Sequence, residues 1–296
     1  MTFIDYLLAQ GLNYKENVDS SKITSIKAGG QIKTVIYPNN KKEFTAAVMA
    51  CSRFHIKFKI LGGCTNSCFS DNGYDGAVIF TSNFKSIKIE GENIVAEAGA
   101  TISEILRFAA HNDKEIASEL FGIPGTIGGA VRNNAGAYGK EIADFFISGE
   151  FFDTSNFKTL ILDRENLLFS YRYSYLQSST LALIECRLKT RPSEKEKCFN
   201  DFKRITQIRR AQQPNEPSLG SFYKRRDGVI PAKLIDDLGL KGYTVGGASV
   251  SKKHAGFIVN SDKCTVNEIE KLAEYIEYAA VNKYGIHLIR EAEIIK

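Results

Sequence analysis

No apolar run in this 296-residue chain approaches the ~18 residues that would carry a helix across a bilayer. The opening Met1-Thr-Phe-Ile-Asp5-Tyr-Leu-Leu-Ala lacks a basic leader and carries an early acid, so a cytoplasmic protein with no membrane partner is expected. Cysteine is sparse: Cys51, Cys64, Cys68, Cys186, Cys198 and Cys264 are scattered, which fits reduced, buried thiols and not a disulfide framework. Cys64 and Cys68 form one C-x3-C pair with no second pair, and His55, His111, His254 and His287 are dispersed, so no metal site is expected. A net charge of +5 is too mild and diffuse for a nucleic-acid partner, yet compatible with an anionic small molecule. Two nucleotide signatures are also missing. There is no G-x-G-x-x-G opening a Rossmann helix, and Gly139-Lys140 is followed by Glu141, which excludes a P-loop.

What is present in excess is glycine, in one place. Gly122, Gly125, Gly128, Gly129, Gly136 and Gly139 fall within eighteen residues, where ordinary usage would put about one. Without a Cβ, such a stretch lets a ligand approach backbone N–H groups, which can cradle diphosphate oxygens or polar ring edges. A smaller loop, Leu61-Gly62-Gly63-Cys64-Thr65-Asn66, lies sixty residues earlier. Two donor loops converging on one elongated ligand suggest a dinucleotide cofactor. Glycine clusters also build bulges and tight corners with no ligand nearby, and spacing alone does not choose between these.

Periodicity divides the chain into alternating elements. Thr34–Pro38, Phe58–Gly62 and Gly76–Thr81 read as strands around a helix at Lys41–Phe54, and Ser86–Ala98 reads as a hairpin about Gly91-Glu92-Asn93. A helix is expected at Ile102–His111, strand-like segments at 144–190 and a charged helix at Ser193–Gln212. Beyond it come a strand at Ala255–Asn260, a long helix at Val266–Tyr284 with an apolar stripe, and a closing strand at Ile286–Ile295. Expected boundaries are 1–85, 86–192 and 193–296.

Several segments stand out in order: Lys27-Ala-Gly-Gly30, the small glycine loop, Gly122–Ala130 with Asn134–Gly139, Tyr171-Arg-Tyr-Ser174, Pro217–Phe222, Gly239–Tyr243, Lys253–Asn260 and Arg290–Ile294. Together they resemble the UDP-N-acetylenolpyruvoylglucosamine reductase family. The spacing from Tyr171 to the serine loop is similar to the shorter form of the family, without an inserted tyrosine loop. The resemblance implies an α+β protein: a two-part FAD-binding fold of the vanillyl-alcohol-oxidase (PCMH) type, then an α+β substrate-binding domain. It implies hydride transfer from NADPH through noncovalent FAD to UDP-N-acetylglucosamine enolpyruvate, making UDP-N-acetylmuramate for bacterial peptidoglycan.

By the same resemblance Ser221 is the proton donor, Arg172 stabilises the enolate beside the substrate carboxylate, and Glu293 assists in enolate stabilisation or proton handling. From the local residues alone, Ser221 reads as a turn serine after Gly220, and only the resemblance reverses that reading; Arg172 reads locally as an ion-pair partner closing the strand-rich unit. Glu291, two residues before Glu293, is expected on the same face of one strand as an exposed charge. FAD would be held by Gly62, Gly63, Cys64, Thr65, Asn66, Ile123, Pro124, Gly125, Gly128, Gly129, Asn134 and Ala135, with a side chain at Gly128 entering the ligand's space. Tyr171, Arg172, Lys224 and Arg225 would meet the substrate. Neither loop contains a histidine for a covalent flavin link.

The chain departs from the family pattern at Cys64 and Cys68, at Gln212 where lysine is common, in a shortened Asn215-Glu216-Pro217, and after Tyr223-Lys224-Arg225-Arg226, which lacks the usual proline. A flavin-binding paralogue without catalysis, and an oxidase of the same fold on another substrate, are the competing readings. The joint presence of Ser221, Arg172 and Glu293 argues against the first.

Overall fold

The computed structural model describes every residue except Asp227. Two compact units are assembled from interleaved segments: Met1–Glu16, Thr34–Gly63 and Gly76–Ile208 make the first, and Asn17–Lys33, Cys64–Asp75 and Arg209–Lys296 the second. This division coincides with neither expected boundary, at 85/86 or at 192/193.

In the first unit, the strand Phe58–Leu61 runs parallel to Tyr74–Phe80, with Phe58 beside Ala77 and Leu61 beside Phe80. The helix Lys41–Arg53 buries Phe44, Ala47, Val48 and Cys51 in the same apolar cluster as Ala77 and Ile79. A second sheet is antiparallel throughout, in the order Lys158–Asp163, Phe146–Asp153, Leu181–Leu188, Asn93–Glu97 and Ile87–Glu90. Its alternating residues share a core with the helix Ile102–His111, which buries Ile102, Ile105, Leu106, Ala109 and Ala110. That helix opens on a capping box: Thr101 accepts from the Glu104 amide, and Glu104 accepts from the Thr101 amide. The charged helix Lys195–Gln212 packs here too, with Phe202 stacked on Phe121 at 4.3 Å, immediately before the large glycine segment.

The second unit has a four-stranded antiparallel sheet in the order Ser218–Ser221, Phe257–Asn260, Ala248–Val250 and Thr244–Val245. Helix Val266–Tyr284 lays Val266, Ile269, Leu272, Ala273, Ile276 and Ala280 into the core of this unit, and ends at Gly285 in the left-handed conformation. The closing segment is not one strand. Ile289–Arg290 pairs antiparallel with Tyr223–Lys224, whereas Glu293–Ile295 pairs parallel with Ser67–Phe69. The change of partner happens at Glu291 and Ala292, whose amides both donate to the Phe222 carbonyl, at 2.8 and 3.4 Å. Strand alternation is therefore interrupted, and the expectation that Glu291 and Glu293 share one strand face is corrected. Glu291 is half-buried, not an exposed charge. No helix among the described residues is long and apolar enough to cross a membrane.

Candidate active site

The two glycine segments meet in the first unit. A Cβ on Gly62 would stand 2.0 Å from Thr126 Oγ1, so only glycine permits this approach at the end of the Phe58–Leu61 strand. Thr126 caps the short helix Ile127–Arg132, and Gly125 before it has φ +107°, a conformation that excludes ordinary side chains.

The expected row of free amides is shorter than composition suggested. Ile127 N donates to Ala100 O at 2.7 Å, Gly128 N to Ala98 O at 2.9 Å and Ile123 N to Leu120 O at 3.2 Å. Gly122 N donates to Ser103 Oγ at 3.1 Å and Gly129 N to Thr126 Oγ1 at 3.5 Å. The reason for Gly128 also changes: its Cβ would press on Ala98 O at 3.1 Å, so it serves packing within the protein and not ligand space. Gly129 is the open one, its nearest neighbour being Thr126 Oγ1 at 3.9 Å. Pro124 is exposed beside it, while Ile123 and Ala135 are partly buried.

Asn134 was expected to hold the cofactor. Its side chain is instead consumed inside the protein: Nδ2 donates to Glu141 Oε2 at 2.7 Å and Ser170 O at 2.9 Å, and Oδ1 accepts from Ala143 N at 3.0 Å. At 1% exposure it is a brace. The brace carries the turn Ser170–Tyr173, closed by reciprocal bonds of 3.1 Å, with Tyr171 and Arg172 at its corner. Tyr171 is 44% exposed. Arg172 has φ +55°, donates to Gly136 O at 3.0 Å, and lies over the Tyr171 ring at 5.0 Å.

In the second unit, Ser221 and Glu293 stand on hydrogen-bonded segments. Along Ser218–Ser221 two residues, Leu219 and Gly220, oppose the single Ile258 between Ser218↔Val259 and Ser221↔Phe257, and Gly220 has φ +78°. That bulge re-aims the strand end, leaving Ser221 exposed while Phe222 is buried. Phe222 O accepts from Glu291 N; Asn66 then joins the same place, its Nδ2 donating to Glu291 O and its carbonyl accepting from Glu293 N, each at 2.9 Å. Lys224 is half-buried, and Arg225, Arg226 and Gln212 are exposed.

Cys64 is buried with φ +46°, and its carbonyl accepts from Ser25 N at 3.1 Å. Burial pushes the Cys64 and Cys68 thiols up to about 12, so neither is a thiolate at neutral pH. Glu141 and Gln177, which brace the arginine turn, were not singled out from sequence. Only their hydrogen-bond partners mark them out.

Comparisons with known proteins cover the whole chain. Residues 212–295 match the UDP-N-acetylenolpyruvoylglucosamine reductase C-terminal domain, and residues 32–156 an FAD binding domain. A UDP-N-acetylenolpyruvoylglucosamine reductase of Caldanaerobacter subterraneus is 37% identical across 98% of this chain and 95% of its own. One of Caldicellulosiruptor bescii is 35% identical across 100% and 95%. The crystal structure of the reductase (MurB) from Thermus caldophilus superposes with a TM-score of 0.82 at 26% identity, covering 96% of this chain and 99% of that one. A berberine bridge enzyme variant, at 16% identity and a TM-score of 0.52 over 65% of this chain and 44% of its own, shares the fold.

Proposed function

The chain belongs to the UDP-N-acetylenolpyruvoylglucosamine reductase family, and from that premise we propose how its residues divide the work. The reaction is the NADPH-dependent, FAD-mediated reduction of UDP-N-acetylglucosamine enolpyruvate to UDP-N-acetylmuramate in peptidoglycan synthesis. FAD, when bound, supplies the acceptor for the NADPH hydride and the donor of hydride to the enolpyruvyl double bond. The residues fit such a group: Gly62 against Thr126 makes a close-packed corner, and Gly129 leaves an open face on the helix that follows. We assign the cofactor contacts to Gly62, Gly63, Gly125, Gly129 and the neighbouring Pro124, with Thr65 and Asn66 from the small loop.

Hydride addition at one enolpyruvyl carbon leaves negative charge conjugated with the carboxylate. Arg172 answers that charge: its guanidinium is permanently cationic and already held by Gly136 O, so little reorganisation is needed when charge develops. The adjacent carbon needs a proton, and Ser221 is its donor. A free serine is a poor acid, so Glu293 and the backbone groups around the bulge must help it give up and regain the proton. Tyr171, Lys224 and Arg225 bind the substrate away from the reacting carbons. A diphosphate contact there is alike in ground and transition states, and so acts on KM more than on kcat.

The observation that carries this reading is the bond from Glu291 N to Phe222 O, which sets the Ser221 bulge beside the segment bearing Glu293. Incubation of the purified protein with NADPH and the enolpyruvyl sugar nucleotide tests it. One NADPH lost per UDP-N-acetylmuramate formed is expected. Substrate-independent NADPH loss, or no product, would overturn the assignment.

A further inference from the structure

The short helical turn Tyr175–Gln177 carries an amide that the reaction scheme leaves unused. Gln177 Nε2 lies 2.9 Å from Arg172 O, 3.1 Å from Arg132 O and 3.3 Å from Asn133 Oδ1. The fully buried Ser174 donates to the same Arg132 carbonyl at 2.9 Å. These oxygens are acceptors only, so the nitrogen end of the amide must face them. Arg132 and Asn133 close the helix that begins at the glycine segment.

Arg172 does not hold its own conformation. A left-handed backbone costs a non-glycine residue roughly 1–2 kcal/mol, and such strain persists only when surrounding bonds impose it. Two routes lead from Arg172 to one segment, Arg132–Gly136. The Arg172 carbonyl is joined to it through Gln177, and the guanidinium through Gly136 O. Both ends of the residue are thus referred to the chain that leaves the glycine helix.

We propose that Gln177 is a positioning residue for Arg172, tying its carbonyl to the end of the glycine helix and so fixing the guanidinium that meets the substrate carboxylate. This rests on the role given to Arg172 above. Glutamine suits the task because it presents two N–H groups without a charge. Glutamate would bring an oxygen against three oxygens, and methionine keeps the length but has no donor. Lysine retains a donor at similar reach.

The test uses the flavin-loaded enzyme under anaerobic rapid mixing, with the two half-reactions recorded separately for Arg172→Ala, Gln177→Met and Gln177→Lys. A misplacement of about 1 Å can cost up to about 10²-fold. Gln177→Met is therefore expected to keep its flavin and its rate of reduction by NADPH, while reoxidation by the enolpyruvyl substrate slows on the order of 10- to 100-fold. Gln177→Lys should recover most of that loss. A slow Arg172→Ala beside an unimpaired Gln177→Met overturns the positioning role alone. Normal reoxidation in Arg172→Ala overturns the reading of Arg172, and this inference with it. Flavin loss, or equal slowing of both half-reactions, in Gln177→Met would make the residue a fold element and also overturn it.

Discussion

Gly128 and Gly129 are neighbours in the chain and opposites in use. A Cβ on the first would press on Ala98, whereas one on the second would meet only Thr126 Oγ1, at 3.9 Å. Gly129→Val should therefore leave the fold intact, since valine costs a helix no more than glycine does, while filling the face assigned to flavin. Flavin absorbance per protein falls and the melting curve of the apoprotein hardly moves. A full flavin complement in the variant would show that the face is not used. Gly128→Val, by contrast, should lose stability and flavin together. A composition count could find the glycines, but not this difference, because it depends on which backbone each residue is packed against.

His254 gives a pH dependence at the same scale. Its Nδ1 accepts from Gly256 N at 3.1 Å. Burial first, and then the positive charges of Lys241 and Arg225, hold its pKa below the ordinary 6.5. The unfolded chain therefore binds the proton more readily. The stabilisation is complete above pH 6.5 and is lost as pH falls through the lowered folded-state value. Urea midpoints should drop on acidification below 6.5, and His254→Asn, which keeps an acceptor near Nδ1, should flatten that slope. An unchanged slope in the variant would contradict the assignment.

Among elements, those legible in advance carry their own signals. Ile102–His111 and Val266–Tyr284 agree with their expected bounds because each combines an apolar stripe with a capping box, Thr101 with Glu104 and Thr265 with Glu268. The closing segment was misjudged because its break is tertiary. Two partners from distant parts of the chain claim its halves, and nothing within Ile286–Ile295 announces the exchange. The order of motifs revealed the candidate groups, whereas the bracing of Arg172 by Asn134, Glu141 and Gln177 was invisible without contacts. The long helix also has a cap that sequence could not supply. Asp71 takes the amides of Val266 at 2.9 Å and Asn267 at 2.8 Å, adding a carboxylate at the positive end of the helix. Asp71→Ala should lower stability by about 0.5–2 kcal/mol in urea unfolding. An unmoved midpoint would mean that Thr265 suffices alone.

At the scale of the molecule, the first unit carries Arg172 and the glycine helix, and the second carries Ser221, Glu293 and Asn66. The chemistry is divided in time as well. Reduction by NADPH asks no proton of Ser221, and only reduction of the enolpyruvyl group does. The decisive measurement is anaerobic stopped-flow of both half-reactions in wild type and Ser221→Ala. Flavin reduction by NADPH should be unchanged, and reoxidation by the enolpyruvyl sugar nucleotide slowed by roughly 10²–10⁴, the usual worth of a positioned acid. Equal slowing of the two steps, or none in either, would contradict the role of Ser221.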